Sequence, residues 1–78
     1  MSVTPDKILD CLGLYCPEPV FRTRLAIDEL KIEQILEVSA DDPAAEEDIK
    51  RLVKRLGHEI ISLESDEDEV KFLIKKLK

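Results

Sequence analysis

The chain has 78 residues, room for one hydrophobic core and one domain, with residues 1–6 expected to form a flexible lead. Twelve Lys and Arg against 18 Asp and Glu leave a net charge of −6. That balance lacks the basic footprint of a surface that binds nucleic acid, and a hydrophobic content of 44% excludes a disordered chain.

No apolar run approaches the roughly 18 residues that a membrane span needs. The start, MSVTPDK, lacks the apolar stretch of a secretory signal. The sequence therefore reads as a cytoplasmic protein with no membrane insertion. In chain order, Lys7 to Leu12 is a short apolar run before Gly13, which predicts a strand entering a tight turn. Pro17 and Pro19 then suit the first turn of a helix, where N–H groups lack partners anyway. The helix is predicted to reach about Leu30, with Val20, Thr23, Ala26, Ile27 and Leu30 on its core face. Phe21 and Leu25 project to the opposite side, one turn apart. They are either ordinary apolar residues, exposed or covered by a loop, or a docking patch for a partner.

Gln34 to Ala40 predicts a second strand. Asp42-Pro43 reads as an N-cap followed by the first helical residue. The second helix carries Ala45, Ile49, Leu52, Val53 and Leu56 on one stripe and stops at Gly57. Acidic residues crowd its start and Lys50, Arg51, Lys54 and Arg55 its end, which complements the helix dipole and predicts Glu46–Lys50 and Glu47–Arg51 pairs. The four basic residues read as a solvated face. Glu59 to Glu64 and Val70 to Lys76 predict a hairpin closed by the polar turn Ser65 to Glu69. Strand, helix, strand, helix, strand, strand is most simply a two-layer α/β sandwich with both helices on one face of a single sheet.

The chemistry-bearing stretch is Asp10-Cys11-Leu12-Gly13-Leu14-Tyr15-Cys16-Pro17-Glu18-Pro19. With Pro17 as first helical residue, Cys16 takes the N-cap, where the positive end of the helix dipole favours thiolate over thiol. The N–H groups of Cys16 and Glu18 are the donors left to face an anion, while the Glu18 carboxylate opposes ionisation. The other reading of Cys16 is a small structural residue at a helix start. Cys11 shares strand parity with Leu9 and should point into the core, the alternative being a resolving thiol for Cys16. C-x4-C with one distant histidine, His58, is a poor metal-binding pattern, and no cofactor motif is present. His58 reads as structural. A nucleophilic thiol without base, metal or cofactor beside it suits sulfur or disulfide exchange.

The sequence resembles the TusA/SirA family of small sulfur-carrier proteins from Ile8 to about Lys75. The resemblance is carried by Cys16-Pro17-Glu18-Pro19 after Gly13-Leu14, by Asp42-Pro43, by Asp48-Ile49 and by Gly57-His58-Glu59. Leu12, Tyr15, Phe21 and Leu25 are more apolar than many members carry there. The family implies a βαβαββ fold with a mixed four-stranded sheet, similar to a translation initiation factor C-terminal domain. It also implies that Cys16 accepts sulfane sulfur as a persulfide. The donor would be a cysteine desulfurase or rhodanese-like protein, and the acceptor a DsrE-like protein or thiolation enzyme, in tRNA thiolation, cofactor assembly or sulfur oxidation. Such a chain is a stoichiometric carrier, more cosubstrate than enzyme, with no bound cofactor or metal. The rival is a thiol-redox or regulatory binding module using Cys16 with or without Cys11.

Overall fold

The computed structural model describes residues 4–15 and 17–78; the geometry expected of Cys16 itself, and the part of the flexible lead formed by residues 1–3, lie outside the described residues. The elements are β1 (Lys7–Cys11), α1 (Glu18–Glu29), β2 (Ile35–Ala40), α2 (Ala45–Leu56), β3 (Glu59–Ser65) and β4 (Val70–Lys75). They form one mixed sheet in the order β1-β2-β4-β3, with β1 parallel to β2 and the other pairs antiparallel. β2 and β4 are therefore central, and their inward rows, Leu36, Val38 and Ala40 beside Ile74, Phe72 and Val70, are buried. α1 packs on β1 and β2, α2 on the β3 side, and the helices touch each other.

The strand alternation follows from a sheet with one covered face. Along β2, Leu36, Val38 and Ala40 face the helices while Ile35, Glu37 and Ser39 are only half-buried. On α1, Thr23, Ala26 and Ile27 are buried as expected and Val20 packs against the core from its rim. Thr23 is tolerated there because its hydroxyl donates to the Pro19 carbonyl at 2.7 Å. On α2, Ala45, Ile49, Leu52 and Val53 are buried and Leu56 is partly so.

Both helices begin later than the prolines suggest. α2 starts at Ala45 with Ala44 in the cap position, and Asp42-Pro43 forms the turn before it. The Asp42 carboxylate accepts the Ala44 N–H at 3.1 Å and its carbonyl accepts the Ala45 N–H at 2.9 Å. Its exit follows expectation: Gly57 is left-handed at φ 81° and the His58 N–H returns to the Val53 carbonyl at 3.0 Å. The Glu46–Lys50 pair forms at 3.1 Å, but the expected Glu47–Arg51 pair does not; Lys50 also reaches Glu47, and Arg51 turns to Asp48 at 3.7 Å. The i,i+3 neighbours are as close on a helix as i,i+4 ones, so Lys50 and Arg51 divide the acids this way.

The expected flexible lead is tied down before its end. Asp6 donates its N–H to the Ile35 carbonyl at 2.8 Å and its carboxylate accepts the Ile35 N–H at 2.8 Å, which locks the start of β1 to β2. Two irregularities were not legible beforehand: a bulge in β3 between Ile60 and Ser62, and Glu33 at φ 78° in the turn before β2. The registers give the sheet two distinct ends. The connections after β1 and β2 and the β3–β4 turn share one end. The Lys31–Gln34 turn and the segment after β4 share the other.

Candidate functional site

The connection from β1 to α1 carries the candidate site, and its backbone is held at each step before Cys16. Gly13 sits at φ 80°, a conformation that costs an L side chain about 1–2 kcal/mol. The Leu14 N–H closes the turn on the Cys11 carbonyl at 3.2 Å, and the Leu12 N–H is taken by the Asp10 carboxylate at 2.9 Å. The Gly13 N–H reaches across to the Asp41 carboxylate at 3.0 Å. Asp41 lies in the connection after β2, so the two parallel strands bring their following loops into direct contact. Ligand sites in open α/β sheets form at the carboxyl ends of such strands. The role of Asp41 was missed because nothing in its spacing points to Gly13.

The helix start differs from the expected arrangement. The cap position of α1 is Pro17, not Cys16, with φ −97° and ψ 11° and no side-chain cap. The chain turns into the helix there. The Glu18 N–H closes that turn on the Tyr15 carbonyl at 2.9 Å, and helical bonding begins with the Phe21 N–H to the Pro17 carbonyl at 3.0 Å. Glu18 is therefore committed and does not serve as the anion-facing donor expected of it. Its carboxylate is drawn to the Arg22 Nε at 3.2 Å, along the helix. Pro19 is buried beneath the first turn.

The side chains around this stretch are exposed. Tyr15 is 75% exposed, Phe21 58%, Leu25 50% and Leu12 44%, and Pro17 and Glu18 also lie at the surface. Phe21 and Leu25 thus form an uncovered apolar pair on the outer face of α1. Cys11 is the opposite: a free cysteine with no exposed surface, packed in the core. Burial pushes its thiol up from the ordinary value, the Arg22 charge pulls it down less, and Asp10 adds a further upward push. A buried, protonated thiol is a poor nucleophile.

His58 stands at the other end of the sheet. Its Nδ1 accepts the Leu77 N–H at 3.1 Å, and burial, with the Lys76 and Lys78 charges, lowers its pKa against a weaker upward pull from Asp28. It is a structural acceptor between β3 and the segment after β4. Among the described residues, no three His, Cys, Asp or Glu side chains converge where a metal ion would sit, and no helix is long and apolar enough to cross a membrane.

Beside the start of α1 the structure has a groove that sequence spacing did not disclose. It is lined by Pro17, Val20, Asp48, Arg51, Leu52 and Arg55, with a volume of about 250 Å³. Arg51 and Arg55, read as part of a solvated face, therefore edge a cleft between the helices.

Comparison with known proteins places this geometry. A family model described as "Sulfurtransferase TusA" matches residues 7–76. A protein of Archaeoglobus fulgidus named "Putative sulfur carrier protein" is 55% identical over 73 residues, covering 92% of this chain and 95% of its own. The Bacillus subtilis protein "Putative sulfur carrier protein YrkI" is 44% identical over 71 residues, with 91% and 95% covered. The crystal structure of a SirA-like protein from Desulfitobacterium hafniense superimposes with a TM-score of 0.79 at 25% identity, covering 92% of this chain and 99% of that one. The β1–α1 connection, the mixed sheet and the two helices that cover it are thus those of a sulfur carrier family, and the chain belongs to the TusA family.

Proposed function

We propose that the protein carries sulfane sulfur as a persulfide on Cys16, in the cytoplasm, between a donor protein and an acceptor protein. The Cys16 thiolate attacks the outer sulfur of a donor persulfide. One S–S bond forms as the donor's breaks, the donor leaves as a thiolate, and no net oxidation occurs. An acceptor then takes the outer sulfur in the same way and returns Cys16 to its thiolate. Desulfurase or rhodanese-like proteins fit the donor role, and DsrE-like proteins or thiolation enzymes the acceptor role. Neither step calls on a cofactor or metal.

The family match across residues 7–76 carries this reading, because it spans the whole β1–α1 connection in which Cys16 stands. Local chemistry supports it. Tyr15, Pro17 and Glu18 flank Cys16 at the surface, Glu18 has its charge partly met by Arg22, and the second cysteine is buried. Gly13, Tyr15, Pro17, Glu18 and Pro19 set the path of the chain around the sulfur, and Phe21 and Leu25 form part of the docking face.

Intact mass spectrometry tests the proposal. After incubation with a cysteine desulfurase and cysteine, or with an inorganic sulfane donor, the protein is expected to gain one sulfur atom, and Cys16→Ala to gain none. Loss of two hydrogens that requires both Cys11 and Cys16 would establish the redox module instead. An unchanged mass under both treatments would end the carrier reading.

A further inference from the structure

The groove between the helices has a composition that its position does not require. Its lining combines apolar Pro17, Val20 and Leu52 with Asp48, Arg51 and Arg55 of α2. Residues 48, 51, 52 and 55 form one stripe along the helix, so Arg51 and Arg55 stand one turn apart on the side that lines the groove. Arg51 Nη1 lies 3.7 Å from the Asp48 carboxylate, and among the described residues Arg55 has no ion pair. These cations interrupt a surface whose chain is acidic overall, at −6. Pro17, at the groove's end, directly follows Cys16 in the sequence.

We propose that this groove receives a segment of a partner protein that combines carboxylates with an apolar side chain. The carboxylates engage Arg51 and Arg55, and the apolar side chain rests on Pro17, Val20 and Leu52. Arginine presents a planar fork that suits carboxylates, and its weak hydration suits a site at an interface. Nucleic acid is disfavoured by the surrounding acids, which leave no extended basic track for a phosphate backbone. A small inorganic anion would leave the apolar lining unused. The inference rests on the carrier reading, since it makes the groove a station that holds a partner beside Cys16 while sulfur passes. Exposed charges of this kind act mainly on encounter rate and partner choice.

The test is a titration of the isotope-labelled protein, followed by amide NMR, with an acetylated and amidated Asp-Leu-Asp-Leu-Asp peptide at low salt. Saturable shifts are expected at Val20, Asp48, Arg51, Leu52 and Arg55. Binding should weaken about tenfold or more in Arg51→Glu/Arg55→Glu and with added sodium chloride. Both arginines lie at the surface, and an otherwise unchanged spectrum of the variant confirms its fold. The proposal falls if no shifts occur, if the double variant binds equally, or if a Lys-Leu-Lys-Leu-Lys peptide binds as well. It falls too if sodium sulfate saturates the same amides in place of the peptide, marking an inorganic anion site. Loading of Cys16 from an inorganic sulfane donor needs no partner. It is expected to be unchanged in the variant, and its absence from the unaltered protein would fault the carrier reading alone.

Discussion

The two helices have twelve residues each and pack on the same sheet, yet their ends are built differently. Neither helix has a side-chain cap, but α2 otherwise follows the local rules: acids in its first turn, Lys54 and Arg55 in its last, a left-handed glycine to close it, and one apolar stripe that is buried. α1 departs from them. It begins at a proline, has no basic residue in its last turn, and leaves Phe21 and Leu25 in solvent. Local rules broken without a structural gain collect at working sites, and the proline start and exposed Phe21 lie in the first turns of α1. Both helices bury a stripe in the core, and under the proposed function α1 also presents the chemistry.

The contrast can be broken by substitution. The largest effect belongs to α2: Ile49 is fully buried, and Ile49→Ala should cost about 2–4 kcal/mol in chemical denaturation. A loss below 1 kcal/mol, as a surface site would give, would contradict the burial of the α2 stripe. Next come the two glycines. Gly13 and Gly57 have φ of 80° and 81°, so alanine at either should cost about 1–2 kcal/mol. Space adds little to this: a Cβ on Gly13 meets nothing, and one on Gly57 meets only the flexible end of the Lys78 side chain. The two losses should therefore be similar, yet only Gly13→Ala should slow sulfur loading of Cys16. Equal loading in both would separate the β1–α1 turn from the chemistry.

A smaller effect concerns pH. The folded imidazole of His58 titrates below its ordinary range, so the unfolded chain takes up a proton first as pH falls. Stability from this group is present above the ordinary imidazole range and lost as pH falls through it towards the folded value. His58→Gln keeps an acceptor for the Leu77 N–H and should flatten that decline; an NMR midpoint for His58 above that of a free imidazole would refute the sign. The smallest change in stability is expected for Phe21→Ser/Leu25→Ser, within about 0.5 kcal/mol per site. Transfer from a protein donor should nevertheless slow, while transfer from an inorganic donor stays the same. Undiminished transfer from the protein donor would remove these residues from the docking face.

Periodicity exposed most of the architecture because burial enforces it: the stripe from Ala45 to Val53 and the alternation of Leu36, Val38 and Ala40 could be read directly. Helix starts were read early because proline is compatible with both a first helical turn and the turn before it. Only the Glu18 and Ala45 N–H bonds to the Tyr15 and Asp42 carbonyls separate the two. The candidate site could be proposed from its cysteine, its glycine and its prolines, which are local. The Gly13–Asp41 bond and the groove lined by Arg51 and Arg55 were not legible, since they join loops and helices distant in sequence and arise only when the sheet assembles.

The opposed ends of the sheet bear on how the protein can be handled. Lys78 reaches Gly57, among the structural contacts of the far end, well away from the turn that follows β1. A fluorophore, bead or solid support tethered through Lys78 would leave the working end pointing outward, so traffic between partners could be watched one molecule at a time.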